Sequence, residues 1–213
     1  MPTPYLLLDE LVQKVDEPYR SAFRRLLSEH DELFRSARGS SHNHQAWAGG
    51  YADHVREVMN VAVVLYDALG RLRPLPFSLS DSLVVLFVHD LEKPWAYEEV
   101  GGVWRRREGL KENAHGLRLA ELAAAGVTPP AELERAVFFV EGEGAHYNNR
   151  ARGMSPLAAF CHMCDVASAR LWHDYPREQN DPWIGAGRTY AEPLAAPDRP
   201  REGCRTSINV ESA

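Results

Sequence analysis

The run LVVLFV, Leu83 to Val88, is apolar on every side at helical spacing, and it is bounded by Ser80-Asp81 before it and His89-Asp90 after it. A helix without a polar face has no side to give to water, so other elements must enclose it completely. That requirement selects a helical bundle with this segment at its centre. Ser80 and Asp81 are expected to cap its N-terminus.

The surrounding sequence supplies amphipathic partners. From an Asp16 cap with Pro18 in the first turn, Tyr19, Ala22, Phe23, Leu26, Leu27, Leu33 and Phe34 recur at three and four residues, which predicts one helix ending near Gly39. A second runs from about Tyr51 to Leu69 with Val55, Val58, Met59, Ala62, Leu65 and Tyr66 on one side, closed by Gly70. Trp95 to Trp104 flank the pair Gly101-Gly102 and read as a small β-hairpin. Helical spacing resumes over Asn113 to Ala125. It returns from a Thr128 cap, with Pro129 and Pro130 in the first turn, to about Glu141, and again from a Ser155 cap past Leu171. Beyond Tyr175 no helical face remains. The expected architecture is all-α: a domain over residues 1–175 with six or seven helices and one hairpin, followed by an irregular arm or disordered tail over 176–213. Trp183 and Ile184 suggest that part of this arm docks.

The chain has 213 residues, 45% of them hydrophobic, and a net charge of −6. This is enough for one core, and the charge disfavours wholesale coating of nucleic acid or anionic lipid. No apolar run approaches the ~18 residues that span a bilayer, and no basic segment precedes the first apolar stretch. Three cysteines are too few for a disulfide framework. The expectation is a soluble, cytoplasmic protein, with room for a homodimer.

Nine histidines are the compositional oddity. At the end of a buried helix, His89 and Asp90 need polar partners, because burying them unpaired costs several kcal/mol. A divalent cation is one such partner; a helix terminus that favours histidine through its dipole is the other reading. His54, Asp165, His115 and His146 lie elsewhere in the chain, and a mixed imidazole and carboxylate inventory suits Mn, Fe, Co, Zn or Mg. Cys161 and Cys164 are one helical turn apart with no second pair, so they read as core.

With His54, His89-Asp90 and Asp165 in that order, the sequence resembles the HD-domain metal-dependent phosphohydrolases over about residues 40–172. GGYADHV is similar to that family's Gly-Gly-Leu-x-x-His segment, HDLEKP to its HD-hydrophobic-Gly-Lys-Pro variant with Glu92 in place of Gly, and DVASAR to its Asp-x-x-Ser-Ala ending. The resemblance implies an HD-type helical bundle in which His54, His89, Asp90 and Asp165 hold one divalent ion. His115 in AHGLRLA and His146 are candidates for a second ion. Asp90, Lys93 and Glu92 are its candidate catalytic residues. SSHNHQAW is similar to the segment lining the substrate entrance in members that act on nucleic-acid ends, which makes Asn43, His44 and Trp47 candidate substrate contacts alongside Lys93, Ser168 and Arg170. Trp47 either stacks on a base or packs in the core, and Arg105 to Arg107 form either a solvated face or a phosphate-steering patch.

The expected activity is hydrolysis of a nucleotide, either a monophosphate or a deoxynucleoside triphosphate, by metal-activated water. The alternatives are a phosphodiesterase for cyclic nucleotides or short RNA or DNA ends, and a non-catalytic nucleotide-binding module. No P-loop, Rossmann glycine fingerprint or Gly-x-Ser-x-Gly elbow is present.

Overall fold

A computed structural model describes residues 3–110, 112–177 and 180–190. Its centre is the helix that the apolar run demanded. This helix, α5 (Leu79–Val88), has every side chain from Ser82 to Val88 buried. In chain order, α1 (Leu8–Val12), α2 (Tyr19–Glu29), α3 (Asp31–Ser36) and α4 (Gly50–Gly70) precede it, and α6 (Lys93–Ala96), α7 (Ala114–Ala124), α8 (Ala131–Phe139) and α9 (Pro156–Val166) follow. α4, α8 and α9 pack directly on α5. Across this core, Phe87 stacks on Phe23 of α2 with ring centroids 3.9 Å apart. Each such fully buried side chain contributes about 1.5–3 kcal/mol.

Six of these helices have nine or more residues, as the periodicity predicted, and three shorter ones join them. One short helix arises from an interruption. The continuous helix expected over 16–39 breaks at His30, whose backbone leaves the helical region at φ −120°, ψ 23°. The break swings α3 so that Phe34 meets Tyr51 of α4 and Trp95 of α6.

Two helix starts differ from expectation. The cap of α5 is Ser78 rather than Ser80: the Ser78 hydroxyl accepts from the Asp81 amide at 3.0 Å while Asp81 accepts from the Ser78 amide at 3.1 Å. Only Ser78 has an acid three residues on, so only Ser78 completes the reciprocal capping box. α8 starts after Pro130 rather than at Thr128, because a residue that precedes proline is driven out of the α region and Pro129 is such a residue. The Ser155 cap is found where expected, accepting from the Ala158 amide at 3.1 Å.

The hairpin is β1 (Tyr97–Val100) paired antiparallel with β2 (Val103–Arg106). α9 runs on into a π-helical turn, Ala167–Leu171, which turns Ser168 fully inward. Residues 180–190 of the arm lie against the N-terminal segment and α4: the Tyr5 amide donates to the Ile184 carbonyl at 2.8 Å, and the Arg56 guanidinium donates to the carbonyls of Leu6, Gly185 and Gly187. Trp183 packs edge-on against Tyr5, whereas the Ile184 side chain stays exposed. The rest of the expected tail, 191–213, lies outside the described residues. Among those described, no helix is long and apolar enough to cross a membrane.

Candidate metal centre

His54 comes from the first turns of α4, His89 and Asp90 from the end of α5, and Asp165 from the last turn of α9. The first turns of α4 depend on two glycines. Gly49 adopts φ +77°, and a Cβ on Gly50 would stand 1.8 Å from the Gln45 carbonyl oxygen. The paired glycines therefore let the loop before α4 close over the helix start, which sends the Gln45 side chain into the interior. There Gln45 donates to Glu57 at 3.0 Å and to Ser168 at 3.2 Å.

These bonds fix the tautomer of both histidines. The Nδ1 of His89 lies 2.6 Å from the Leu86 carbonyl, which can only accept, so Nδ1 carries the proton. Ser168 commits its hydroxyl proton to Glu57 at 2.6 Å, so its oxygen accepts from His54 Nδ1 at 3.1 Å. Both rings consequently present Nε2 to the same point, and the two Nε2 atoms are 3.2 Å apart. Two lone pairs at that distance repel unless a positive charge sits between or beside them.

Two carboxylates complete the cluster. The His54 Nε2 is 3.4 Å from Asp90 Oδ2 and 3.2 Å from Asp165 Oδ1; the corresponding distances from His89 Nε2 are 3.3 and 3.7 Å. Four donors about 2.0–2.2 Å from a tetrahedrally coordinated ion are roughly 3.3–3.6 Å from one another. Each carboxylate stands at about that distance from both imidazole nitrogens, and His54, His89 and Asp165 form one group able to hold a divalent cation. His44 adds a further donor within reach of His54 and Asp90.

The electrostatics agree. Burial lowers the basicity of His54, whereas for His89 the carboxylates of Asp90 and Asp165 outweigh burial and raise its pKa to about 10. Without an ion, the cluster therefore keeps one proton on His89. Burial alone would raise Asp90 and Asp165, but Lys93 and the imidazoles hold Asp90, and His54 and His89 hold Asp165, well below the usual carboxylate range. The Lys93 ammonium lies 2.5 Å from Asp90 and 3.4 Å from His44 Nε2. Burial, with the charges of His54 and Lys93, brings His44 down to about 3, so it is neutral at pH 7.

The two carboxylates of the cluster line a cavity of about 610 Å³, with the imidazoles buried behind them. Lys93, Asn43, His44 and exposed Arg170 line the same cavity as Asp90 and Asp165. Other expected residues stand elsewhere. Trp47 is not part of the lining: its indole donates to Asp53 at 2.8 Å and the Arg188 guanidinium lies over its ring, so it packs instead of facing the cavity. Ser168 lies behind His54 and orients it. Glu92 lines the cavity but accepts from the Arg118 guanidinium at 2.6 Å. His115 lines the wall, 3.6 Å from Glu134, and His146 sits in a 3₁₀ turn against Phe138 and Phe139; neither joins the metal-capable groups among the described residues. Arg105 and Arg107 are exposed and outside the cavity lining. Cys161 and Cys164 are fully buried, and burial pushes both thiols up, as core residues.

Sequence reasoning missed Arg118, Gln45 and Glu57. Arg118, only 5% exposed, bridges Glu92 and Glu141 at 2.6 and 2.7 Å across the cavity wall. A signal existed: Arg118 precedes buried Leu122 by four residues, so it lies on the inward stripe of α7, where a charge requires a partner. Gln45 and Glu57 carry no comparable local signal. Comparison with protein-family models, curated proteins and solved structures finds no match for this chain.

Proposed function

We propose that the chain is an HD-type, divalent-metal-dependent phosphohydrolase that acts on a nucleotide, either a nucleoside monophosphate or a deoxynucleoside triphosphate. The observation that carries this reading is the convergence of His54 Nε2, His89 Nε2, Asp90 and Asp165 on one point, beside a cavity that the two carboxylates and a lysine line. A divalent ion held there would supply Lewis acidity, polarising a phosphoryl oxygen and acidifying water at neutral pH.

The chain's own side chains provide the rest. Lys93, beside Asp90, is placed to offset charge on a phosphoryl oxygen in the cavity. Neutral His44 can accept or donate a hydrogen bond beside it without adding charge. Arg170 and Asn43 line the same cavity and would meet the distal part of a substrate. Arg118 is held between Glu92 and Glu141, so it stiffens the wall without leaving a net positive charge there.

The size and charge of the cavity favour a small substrate over a strand. A volume of about 610 Å³ suits a single nucleotide. The lining carries Asp90, Glu92, Glu112, Glu141 and Asp165 against Lys93, Arg118 and Arg170, a balance that opposes a long polyanion.

The test is turnover. Purified protein, stripped and reloaded separately with Mn, Co, Fe, Mg and Zn, is incubated with nucleoside monophosphates, deoxynucleoside triphosphates, cyclic nucleotides and short oligonucleotides. Release of phosphate from a mononucleotide with at least one ion is expected, as is its loss in folded His54→Ala, His89→Ala, Asp90→Ala and Asp165→Ala. Turnover retained in Asp90→Ala, or none with any ion, overturns the reading. Cleavage confined to diesters transfers the site to the phosphodiesterase alternative.

A further inference from the structure

A second cavity, of about 140 Å³, lies where the arm crosses the N-terminal segment, and its walls are Tyr5, Trp172, Tyr175 and Trp183 with the carboxylates of Glu57 and Asp181. The rings meet at steep angles. Tyr5 and Trp183 stand at 81° with centroids 5.0 Å apart, and Trp172 meets Trp183 at 67° and 6.2 Å. Rings set edge to face in this way form the corners of a box rather than a stack.

Among the described residues, two polar atoms in this box lack a partner. Glu57 is only 2% exposed, and the bonds from Gln45 and Ser168 both end on Oε2, leaving Oε1 without a hydrogen bond. The Tyr5 hydroxyl, buried in the same wall, has no partner either. Asp181 differs: its two oxygens accept from the Arg177 and Trp183 amides, so it adds negative potential while staying fixed in place. Burial, reinforced by Asp181 and Asp53, pushes Glu57 up to about 8 despite the bonds from Ser168 and Gln45.

Aromatic faces and a half-satisfied carboxylate demand opposite things of most occupants. Water satisfies the carboxylate but needs two to four polar partners, and aromatic walls offer few. A neutral apolar molecule suits the rings and leaves Oε1 bare. An alkylated ammonium meets both requirements, because its methyl groups carry the positive charge onto the ring faces while its N–H reaches an oxygen. The volume is close to the ~150 Å³ that holds one benzene in an apolar cavity, which suits a small head group.

We propose that this cavity is a binding site for a small alkylammonium cation whose N–H group bonds to Glu57. The site differs from the metal centre in its ligand and in its aromatic walls. Glu57 nevertheless belongs to both regions, since its other oxygen holds Ser168 behind His54.

Dimethylammonium chloride is the probe, at constant ionic strength, with 2-propanol as the neutral comparator. The readouts are titration calorimetry and the indole resonances of Trp172 and Trp183 in the full chain. Expected are one-to-one saturation, shifts of these two indoles with Trp95 unmoved, and no saturable binding of 2-propanol. Trp183→Leu and Glu57→Gln are each expected to weaken binding about tenfold or more. Trp172→Leu, at a partly exposed position, replaces either variant if its melting curve shows that it does not fold. The proposal is overturned if millimolar dimethylammonium leaves both indoles unshifted, if 2-propanol binds as tightly, or if folded variants keep full affinity.

Discussion

Replacing Arg118 by Met removes a cation that is 5% exposed and leaves Glu92, itself 1% exposed, with its charge in the wall and without the 2.6 Å bond it now accepts. Because both groups are buried, solvent screening does not reduce the effect, and removing one partner of such a pair costs about 3–5 kcal/mol. Glu141 adds little, since its side chain is 60% exposed. For a chain of this length each kcal/mol moves the melting temperature by about 2–4 °C, so Arg118→Met should melt about 6–20 °C below the parent. The double variant Glu92→Gln, Arg118→Met removes the buried charge together with its counter-ion and should recover most of that loss. Thermal melts of the parent, both single variants and the double variant, all metal-free, measure the coupling. If Arg118→Met melts within about 2 °C of the parent, or the double variant is as unstable as the sum of the singles, the pair is not the buried interaction described.

Three further outcomes follow from the same structure. Ser168→Ala takes the acceptor from His54 Nδ1, so metal affinity should fall about 10–100-fold with a small change in melting temperature, measured by competition with a chelating dye. Gly50→Ala places a Cβ 1.8 Å from the Gln45 carbonyl oxygen, and should lower stability by at least about 2 kcal/mol in denaturant titration. The third concerns pH. His89, raised to about 10, stabilises the metal-free fold fully below its ordinary value near 6.5 and loses that contribution as pH rises to about 10; Asp90 and Asp165, held low, contribute above about pH 4 and lose their contribution on acidification. Metal-free protein should thus be most stable between about pH 5 and 6.5. Because an ion must displace the His89 proton, calorimetry in buffers of different ionisation heat should find about one proton released per ion, with affinity rising about tenfold from pH 7 to 8.

What the sequence made legible was whatever repeats along one helix or caps its end. LVVLFV demanded enclosure and became the centre of the bundle, and Ser155 capped α9 as expected. The break at His30 left no local mark, because Leu26, Leu27, Leu33 and Phe34 keep helical spacing across it; the contact of Phe34 with Trp95, sixty-one positions away, fixes the direction of α3. In the site, His54, His89, Asp90 and Asp165 are brought together as their order along the helices suggested. The groups that aim them were hidden. Gln45, Glu57 and Ser168 come from a loop, a helix interior and a π-helical turn, and only folding reveals that they form one hydrogen-bonded chain behind His54. Trp47 was ambiguous by composition, since an indole N–H seeks a partner in a core and in a substrate pocket alike; Asp53 provides that partner in the interior.

The most direct test is a crystal structure of the chain grown with Mn, with anomalous scattering recorded at the Mn absorption edge. The expected map has a strong peak about 2.0–2.3 Å from His54 Nε2, His89 Nε2, Asp90 and Asp165, absent in crystals of Asp165→Ala. A map with no peak within bonding distance of those four side chains, from crystals that hold Mn elsewhere or not at all, contradicts the metal centre and the phosphohydrolase reading built on it.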